Sequence, residues 1–263
     1  MNNDWIAAET NVLIRGRKWS RLRECRKFNL SQIDMYSLVF YCKDEDILRY
    51  VIDHAFDINA VDEDTKGLIH YICKYSSFEM LEYIVNKGAN LELTTLGGNR
   101  PIHFLCSSAT LDMIKYMVDQ GVELNVSNIN GWRPIHYICE NSVSTPEMIK
   151  YMVDQGVELN VSNIDGWRPI HYICRYSTPE MIKYMVDRDV ELDVENNEGW
   201  RPINYVYRYS TYEMIKYMID LGVDSSCSTK LYVSPSDLLQ ENPNLSHEDI
   251  YEIFDMLYAI ACN

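Results

Sequence analysis

The sequence is poor in residues that break regular structure and has no segment suited to a membrane. Only 11 glycines and 8 prolines occur among 263 residues, of which 47% are hydrophobic, so extensive disorder is not expected. No run of about 18 uncharged apolar residues occurs, which argues against a transmembrane helix. The first residues lack the basic and apolar regions of a signal peptide. We therefore expect a cytoplasmic protein with no membrane contact and with its 8 cysteines reduced.

Basic residues are scarce outside the N-terminal segment. The chain has 24 Lys and Arg against 39 Asp and Glu, a formal net charge of −15. An acidic body repels phosphates and argues against a general nucleic-acid binder. The segment 1–30 is the exception. Its basic residues either contact a nucleic acid or an acidic partner, or form the solvated face of a cap helix: Arg15, Arg17, Lys18, Arg21, Arg23, Arg26 and Lys27.

Motifs for catalysis are also lacking. The sequence contains no His-Glu-x-x-His, no Gly-x-Ser-x-Gly and no phosphate-binding glycine loop. Neighbouring stacked helices lie roughly 8–10 Å apart, too far for residues on them to share a zinc ion at bond lengths of about 2.0–2.3 Å. We therefore predict no enzyme activity, no metal and no cofactor. The residues considered for a metal site recur at fixed positions along the chain, as a column of cysteines and a column of histidines: Cys73, Cys106, Cys139 and Cys174, and His70, His103, His136 and His171.

What the chain does contain is one segment repeated several times. Gly-Trp-Arg-Pro-Ile-His begins at Gly131 and again at Gly166, with variants beginning at Gly98 and Gly199. Corresponding residues in successive copies are 33 or 35 positions apart. Self-similarity at this period predicts a solenoid, in which each unit buries its apolar face against its neighbours.

Each copy predicts a pair of helices. Within 166–198, Gly166 marks a turn tip, and Pro169 suits the first turn of an inner helix. Ser177-Thr-Pro-Glu180 has the capping-box pattern for an outer helix. That helix needs a left-handed residue at its end, a position that Gly156 takes in the preceding copy and Asp189 in this one.

This repeat resembles the ankyrin repeat, with Arg-Pro-Ile-His where that family has Thr-Pro-Leu-His. The resemblance implies an all-α solenoid of stacked helix-turn-helix units with β-hairpin-like fingers. A helical cap is expected over 1–30 and a capping repeat over 230–263. The repeats between them are expected at 31–64, 65–97, 98–130, 131–165, 166–198 and 199–229. The near-duplicate units, rich in Ile, Tyr and Asn, are similar to ankyrin repeat proteins expanded in giant DNA viruses, which implies action in the cytoplasm or nucleus of a host cell.

The resemblance also implies a monomeric, non-enzymatic scaffold or adaptor that binds a protein partner through its concave and finger surfaces. Trp and Arg are enriched among binding hot spots. We therefore predict a contact ridge of Trp132, Trp167 and Trp200, flanked by Arg133, Arg168 and Arg201. The alternative is that these side chains stack on each other within the scaffold. Two other functions remain open: a substrate adaptor of a ubiquitin ligase, and binding of nucleic acid or an acidic partner through the basic segment.

Overall fold

The computed structural model describes residues 3–25, 27–55, 57–108, 110–141, 145–223 and 233–261. Within these ranges the chain is helical, and we number the α-helices along the sequence. They are α1 (Asn3–Arg15), α2 (Met35–Tyr41), α3 (Glu45–Asp53), α4 (Leu68–Tyr75), α5 (Phe78–Asn86), α6 (Pro101–Cys106), α7 (Leu111–Asp119), α8 (Pro134–Glu140), α9 (Pro146–Asp154), α10 (Pro169–Tyr176), α11 (Pro179–Val186), α12 (Pro202–Tyr209), α13 (Tyr212–Asp220), α14 (Pro235–Gln240) and α15 (His247–Ala261). Two 3-10 helices, Trp19–Glu24 and Leu30–Gln32, follow α1.

The chain divides into two compact units, Met1–Ile129 and Asn130–Asn263, named here the N-terminal and the C-terminal unit. In the N-terminal unit the inner helices α2, α4 and α6 pack in succession, and the outer helices α3, α5 and α7 do the same. In the C-terminal unit α8, α10, α12 and α14 pack in succession, and α15 lies against α13 and α14. Each predicted repeat from 31–64 to 230–263 contains one of these helix pairs.

The inner helices form where the sequence combines a proline with apolar residues. Arg168 is extended, with φ −108° and ψ 161°, and Pro169 follows as the first residue of α10. Extended backbone is what a residue before proline favours, and a proline at this point costs the helix no hydrogen bond. Ile170 and Ile173 are completely buried. Burial of one such side chain stabilises the fold by about 1.5–3 kcal/mol. A helix this short is not stable alone in water, so this packing is what stabilises it.

The outer helices begin one residue later than the capping-box pattern predicts. Thr178, not Ser177, is the N-cap of α11, and Ser177 instead ends α10. The shift does not depend on proline, because α5 and α13 begin in the same way, at Phe78 and Tyr212, after the N-caps Ser77 and Thr211. The corresponding serine of the preceding repeat, Ser144, lies outside the described residues, as does Arg26 of the basic segment.

The predicted β-hairpin fingers are not confirmed. In the described ranges there is no strand, and isolated bridges join only Phe28 to Ala55 and Val61 to Gly67. What is present at the tips is the turn of a hairpin. The Asn163 N–H donates to the Trp167 carbonyl at 2.9 Å, and the Gly166 N–H donates to the Asn163 carbonyl at 3.0 Å. Two hydrogen bonds close a turn, but they are too few to form the ladder of a β-hairpin.

Candidate functional site

Asparagine side chains hold the turns that present Trp167 and Trp200. The Asn163 Oδ1 accepts hydrogen bonds from the N–H groups of Asp165 at 3.0 Å and Trp167 at 2.9 Å. Asn196 does the same for Trp200 at 2.9 Å. Asparagine is suited to this role because its short side chain reaches backbone N–H groups two to four residues ahead. The tryptophans therefore leave the turns in a fixed direction.

The three tryptophans lie in one row with tyrosines of the inner helices. The Trp167 ring centroid is 4.7 Å from that of Tyr172 in its own repeat and 5.2 Å from that of Tyr205 in the next. Trp132 likewise lies 5.5 Å from Tyr172, and Trp200 lies 4.9 Å from Tyr205. These five side chains are named here the aromatic row.

The aromatic row is both scaffold and surface. Tyr172 and Tyr205 are only 4% exposed, whereas the three tryptophans are half-buried. Aromatic pairs at these separations contribute about 0.5–1.5 kcal/mol each beyond the area that they bury. The row therefore joins neighbouring repeats through alternating Trp and Tyr rings. It also leaves part of each indole accessible.

The arginines that flank the tryptophans in sequence are occupied by carboxylates. In each ion pair a guanidinium nitrogen contacts a glutamate oxygen, and the arginine side chains are at most 23% exposed. Such pairs near the surface contribute little to stability, but they neutralise the charge that a partner would meet. The pairs are Arg133 with Glu158 at 2.8 Å, Arg168 with Glu191 at 2.8 Å and Arg201 with Glu195 at 3.0 Å.

Arg175, which sequence reasoning missed, lies in the middle of this surface. Its guanidinium carbon is 5.8 Å from the centroid of Trp167 and 5.0 Å from that of Tyr176. The rings of Tyr205 and Tyr209 are 5.9 and 6.0 Å away. One signal could have found it, because the position after the repeat cysteine is among the few that differ between nearly identical copies.

The basic segment near the N-terminus is partly neutralised within its own unit. It does not form one helical face, because α1 ends at Arg15 and a separate 3-10 helix begins at Trp19. Lys18 and Arg23 are exposed and make no described ion pair. Three contacts hold other members of the segment: Arg15 with Asp34 at 3.8 Å, Arg17 over the Tyr41 ring at 4.3 Å, and Arg21 with Glu24 at 3.1 Å.

The histidine and cysteine columns have structural contacts. The N–H of Arg168 donates to the His171 Nδ1 at 3.0 Å, and the His171 Nε2 lies 3.1 Å from the Val194 carbonyl. Burial lowers the pKa of His171 to about 4. Burial also raises the pKa of the Cys174 thiol, which removes the thiolate that metals and oxidants require. Among the described residues no group of His, Cys, Asp and Glu could hold a metal ion.

Two stretches of the chain, residues 69–163 and 142–229, match a family model described as ankyrin repeats in three copies. The chain belongs to the ankyrin repeat family. No curated protein matches it. Ankyrin repeats are generally protein–protein interaction modules and typically non-enzymatic scaffolds. No helix in the described part of the chain combines the length and the apolar character that crossing a membrane requires.

The replacement of the motif threonine by arginine is tolerated because the hydrogen bond at this junction comes from the backbone N–H and not from the side chain. Arg133 stands where the motif has threonine, yet its N–H still donates to the His136 Nδ1 at 3.0 Å. At the fifth position of the column Asn204 replaces histidine, and its Oδ1 accepts from the Arg201 N–H at 2.8 Å. An acceptor three residues into the inner helix is therefore sufficient for this ankyrin repeat junction.

The aromatic row leads to a prediction about stability. Trp167 packs between two tyrosines, whereas Trp200 has only Tyr205 in the described part of the chain. We expect Trp167→Ala to lower the free energy of unfolding by at least about 1 kcal/mol more than Trp200→Ala, because it removes one more Trp–Tyr pair and also the contact with His171. Urea unfolding followed by circular dichroism measures both. Equal losses would show that the row does not couple the repeats.

Proposed function

We propose that this chain is a protein-interaction scaffold that binds its partner on the inner-helix surface of the C-terminal unit. The observation that carries the proposal is a set of exposed aromatic rings beside the aromatic row. Tyr176 is 47% exposed and Tyr209 is 39% exposed, and both lie at the ends of inner helices. Together with Trp167 and Arg175 they offer the residue types enriched among binding hot spots.

The rigidity of this surface supports the proposal. Its indoles are packed against buried tyrosines, and its turns are closed by asparagine side chains. A surface that is ordered before binding loses little conformational entropy when the partner docks. The flanking arginines contribute through their packing, since Arg133, Arg168 and Arg201 are paired with glutamates. Of the ridge predicted from the sequence, the proposed contact surface therefore keeps Trp167 and leaves out the three paired arginines.

The finer parts of the proposal follow the resemblance. The protein would act as a monomer in the cytoplasm or nucleus of a host cell, on a host protein, with repeat boundaries as predicted. The near identity of the repeats, which is the basis of the resemblance to viral ankyrin repeat proteins, supports the action on a host protein. A second function, binding of nucleic acid through the basic segment, is favoured only by the exposure of Lys18 and Arg23.

The test is a pull-down from eukaryotic cytosol followed by mass spectrometry. The bait is the full chain, either unchanged or carrying Tyr176→Ala and Tyr209→Ala. We expect the variant to lose the partner, because its exposed rings are removed while the buried row is retained. A matched control is Tyr251→Ala with Tyr258→Ala, which removes the two rings that α15 exposes at 72% and 73%.

Circular dichroism first shows that both variants remain helical. Loss of the partner from the inner-helix variant alone supports the proposed surface. Equal retention by both variants contradicts it. Loss from the α15 variant alone would move the binding surface to the C-terminal helix.

A further inference from the structure

Arg175 differs from the other arginines of the same surface in having no carboxylate partner. Arg133, Arg168 and Arg201 each form an ion pair within the C-terminal unit. Arg208, which occupies the same repeat position as Arg175 one repeat later, pairs with Glu241 at 2.9 Å. Arg175 makes no hydrogen bond or ion pair with any described residue. Among the described arginines of this surface, Arg175 is therefore one whose charge no ion pair neutralises.

The surroundings of Arg175 orient its guanidinium group. Four rings lie within about 6 Å of the guanidinium carbon: Trp167, Tyr176, Tyr205 and Tyr209. Aromatic faces attract a guanidinium group without using its N–H groups. The half-buried side chain is thus held in place while its donors stay unused. A planar donor set of this kind matches the two oxygens of a carboxylate.

The acidic side chain that interacts electrostatically with Arg175 is not bonded to it. Glu140 occupies the equivalent position one repeat earlier and is exposed. Partial desolvation of its carboxyl group nevertheless raises its pKa, and the charge of Arg175 acts in the opposite direction. The two side chains are close enough to interact electrostatically, yet they form no ion pair in the structure. An incoming carboxylate would not have to displace Glu140 from a bond.

We infer that Arg175 recognises a single aspartate or glutamate side chain of the partner, within a segment whose neighbouring apolar residue packs on Tyr176 and Tyr209. This inference rests on the proposed function and specifies its partner. A polyacidic partner does not fit, because most of the charged residues of this chain are acidic and would repel it. One carboxylate in an otherwise apolar or neutral segment avoids that repulsion and still gains the charge-assisted hydrogen bonds.

The experiment uses the full chain and a library of random peptides displayed on phage. The peptides are fused at their C-termini, so that any carboxylate they present belongs to a side chain. Peptides are selected on the unchanged protein and then counter-tested on the Tyr176→Ala, Tyr209→Ala variant. We expect the peptides that depend on these tyrosines to be enriched in one Asp or Glu next to an apolar residue.

Dissociation constants of a selected synthetic peptide then test Arg175 itself. We expect at least tenfold weaker binding with Arg175→Gln, or with the peptide's acid changed to its amide. The two changes together should weaken binding no more than either alone, because they remove the same contact. Arg208→Gln is the matched control, since it removes an arginine that is already paired, and it should change binding less than threefold.

The outcomes separate this inference from the proposed function. Peptides that require Tyr176 and Tyr209 but carry no enriched acid, or bind Arg175→Gln unchanged, overturn the role of Arg175 and leave the surface intact. Equal losses with Arg175→Gln and Arg208→Gln also overturn it, because they indicate a general electrostatic effect. A library with no peptide that depends on the two tyrosines overturns both proposals.

Discussion

Acidification from pH 7 to pH 4.5 is expected to destabilise this protein strongly, before most of its carboxylates become protonated. Burial lowers the pKa of His136 and of His171 to about 4, and it also lowers the pKa of His70. The charges of Arg133 and Arg168 act in the same direction. The folded protein therefore holds these histidines neutral at pH values where the unfolded chain binds protons.

The hydrogen bonds explain why a proton is not accepted. At each site a backbone N–H points at the histidine Nδ1, so this nitrogen must be an acceptor. The hydrogen is then on Nε2, which donates to the carbonyl of Val161 in one repeat and of Val194 in the next. Protonation of Nδ1 would oppose two N–H groups at a separation of 3.0 Å and place a charge in the core.

The direction and the pH window follow from the lowered pKa. A histidine with a pKa of about 4 in the folded protein and about 6.5 in the unfolded chain contributes fully above pH 6.5. Its contribution is lost as the pH falls from about 6.5 to about 4, by on the order of 3 kcal/mol per histidine. Carboxylates with lowered pKa, such as those of Glu147 and Glu180, lose their contributions only below about pH 4.5.

Urea unfolding at pH 7.5, 6.0, 5.0 and 4.5 measures the effect. The informative variant is His136→Asn with His171→Asn, which follows the example of Asn204 in keeping an acceptor for the N-cap and cannot titrate. We expect this variant to be less stable than the unchanged protein at pH 7.5 but to lose much less stability on acidification. The same slope in both proteins would contradict the assignment of the acid sensitivity to these histidines.

Gly166→Ala is expected to lower the free energy of unfolding much more than Gly156→Ala. Both glycines have φ +79°, a conformation that costs a residue with a side chain about 1–2 kcal/mol. They differ in their surroundings. A methyl group at Gly166 would meet the Asn196 Cα and the Asn197 backbone nitrogen at 2.9 Å, whereas at Gly156 it would meet no atom within 4 Å.

The close approach at Gly166 exists because consecutive turns are joined by their backbones. The Asn197 N–H donates to the Asp165 carbonyl at 2.9 Å, directly beside this glycine. An added methyl group would separate the two turns and break that bond. We therefore expect a loss of about 1 kcal/mol for Gly156→Ala and of about 3 kcal/mol for Gly166→Ala.

Denaturant unfolding of the two variants measures this difference, with each protein serving as the control for left-handed strain in the other. A second control is Asp189→Gly, which relieves a positive φ of 54° at the position equivalent to Gly156 and is expected to stabilise. Equal losses in the free energy of unfolding for Gly156→Ala and Gly166→Ala would contradict the prediction, because they would show that separating the two turns does not destabilise the protein.

Several features of the fold could be predicted because the same local signals occur in every repeat. Pro169 begins an inner helix, and Gly156 and Asp189 adopt the left-handed conformation, as the sequence predicts. The prediction of the outer-helix caps was wrong by one residue, since two hydroxyl residues precede each of these helices and the second one is the N-cap, with or without a proline after it. The fingers were predicted from the family resemblance, and only their turns form in the described residues.

The candidate site was harder to predict because identical residues mark the scaffold. Trp132, Trp167 and Trp200 recur with the repeat, and Trp132 and Trp167 join neighbouring repeats through Tyr172 and Tyr205. The surface proposed for binding depends in addition on positions where the copies differ. Arg175 is such a position, and nothing in its own sequence neighbourhood distinguishes it from Arg208.

The sequence by itself determined the period, the helix pairs and the sites of the turns, because proline, glycine and apolar spacing act within a few residues. Only the tertiary structure decided which charges are neutralised and which remain. Glu191 reaches Arg168 and Glu241 reaches Arg208 from positions 23 and 33 residues away in the chain. An ion pair depends on the distance between side chains that folding brings together, and no local pattern encodes that distance.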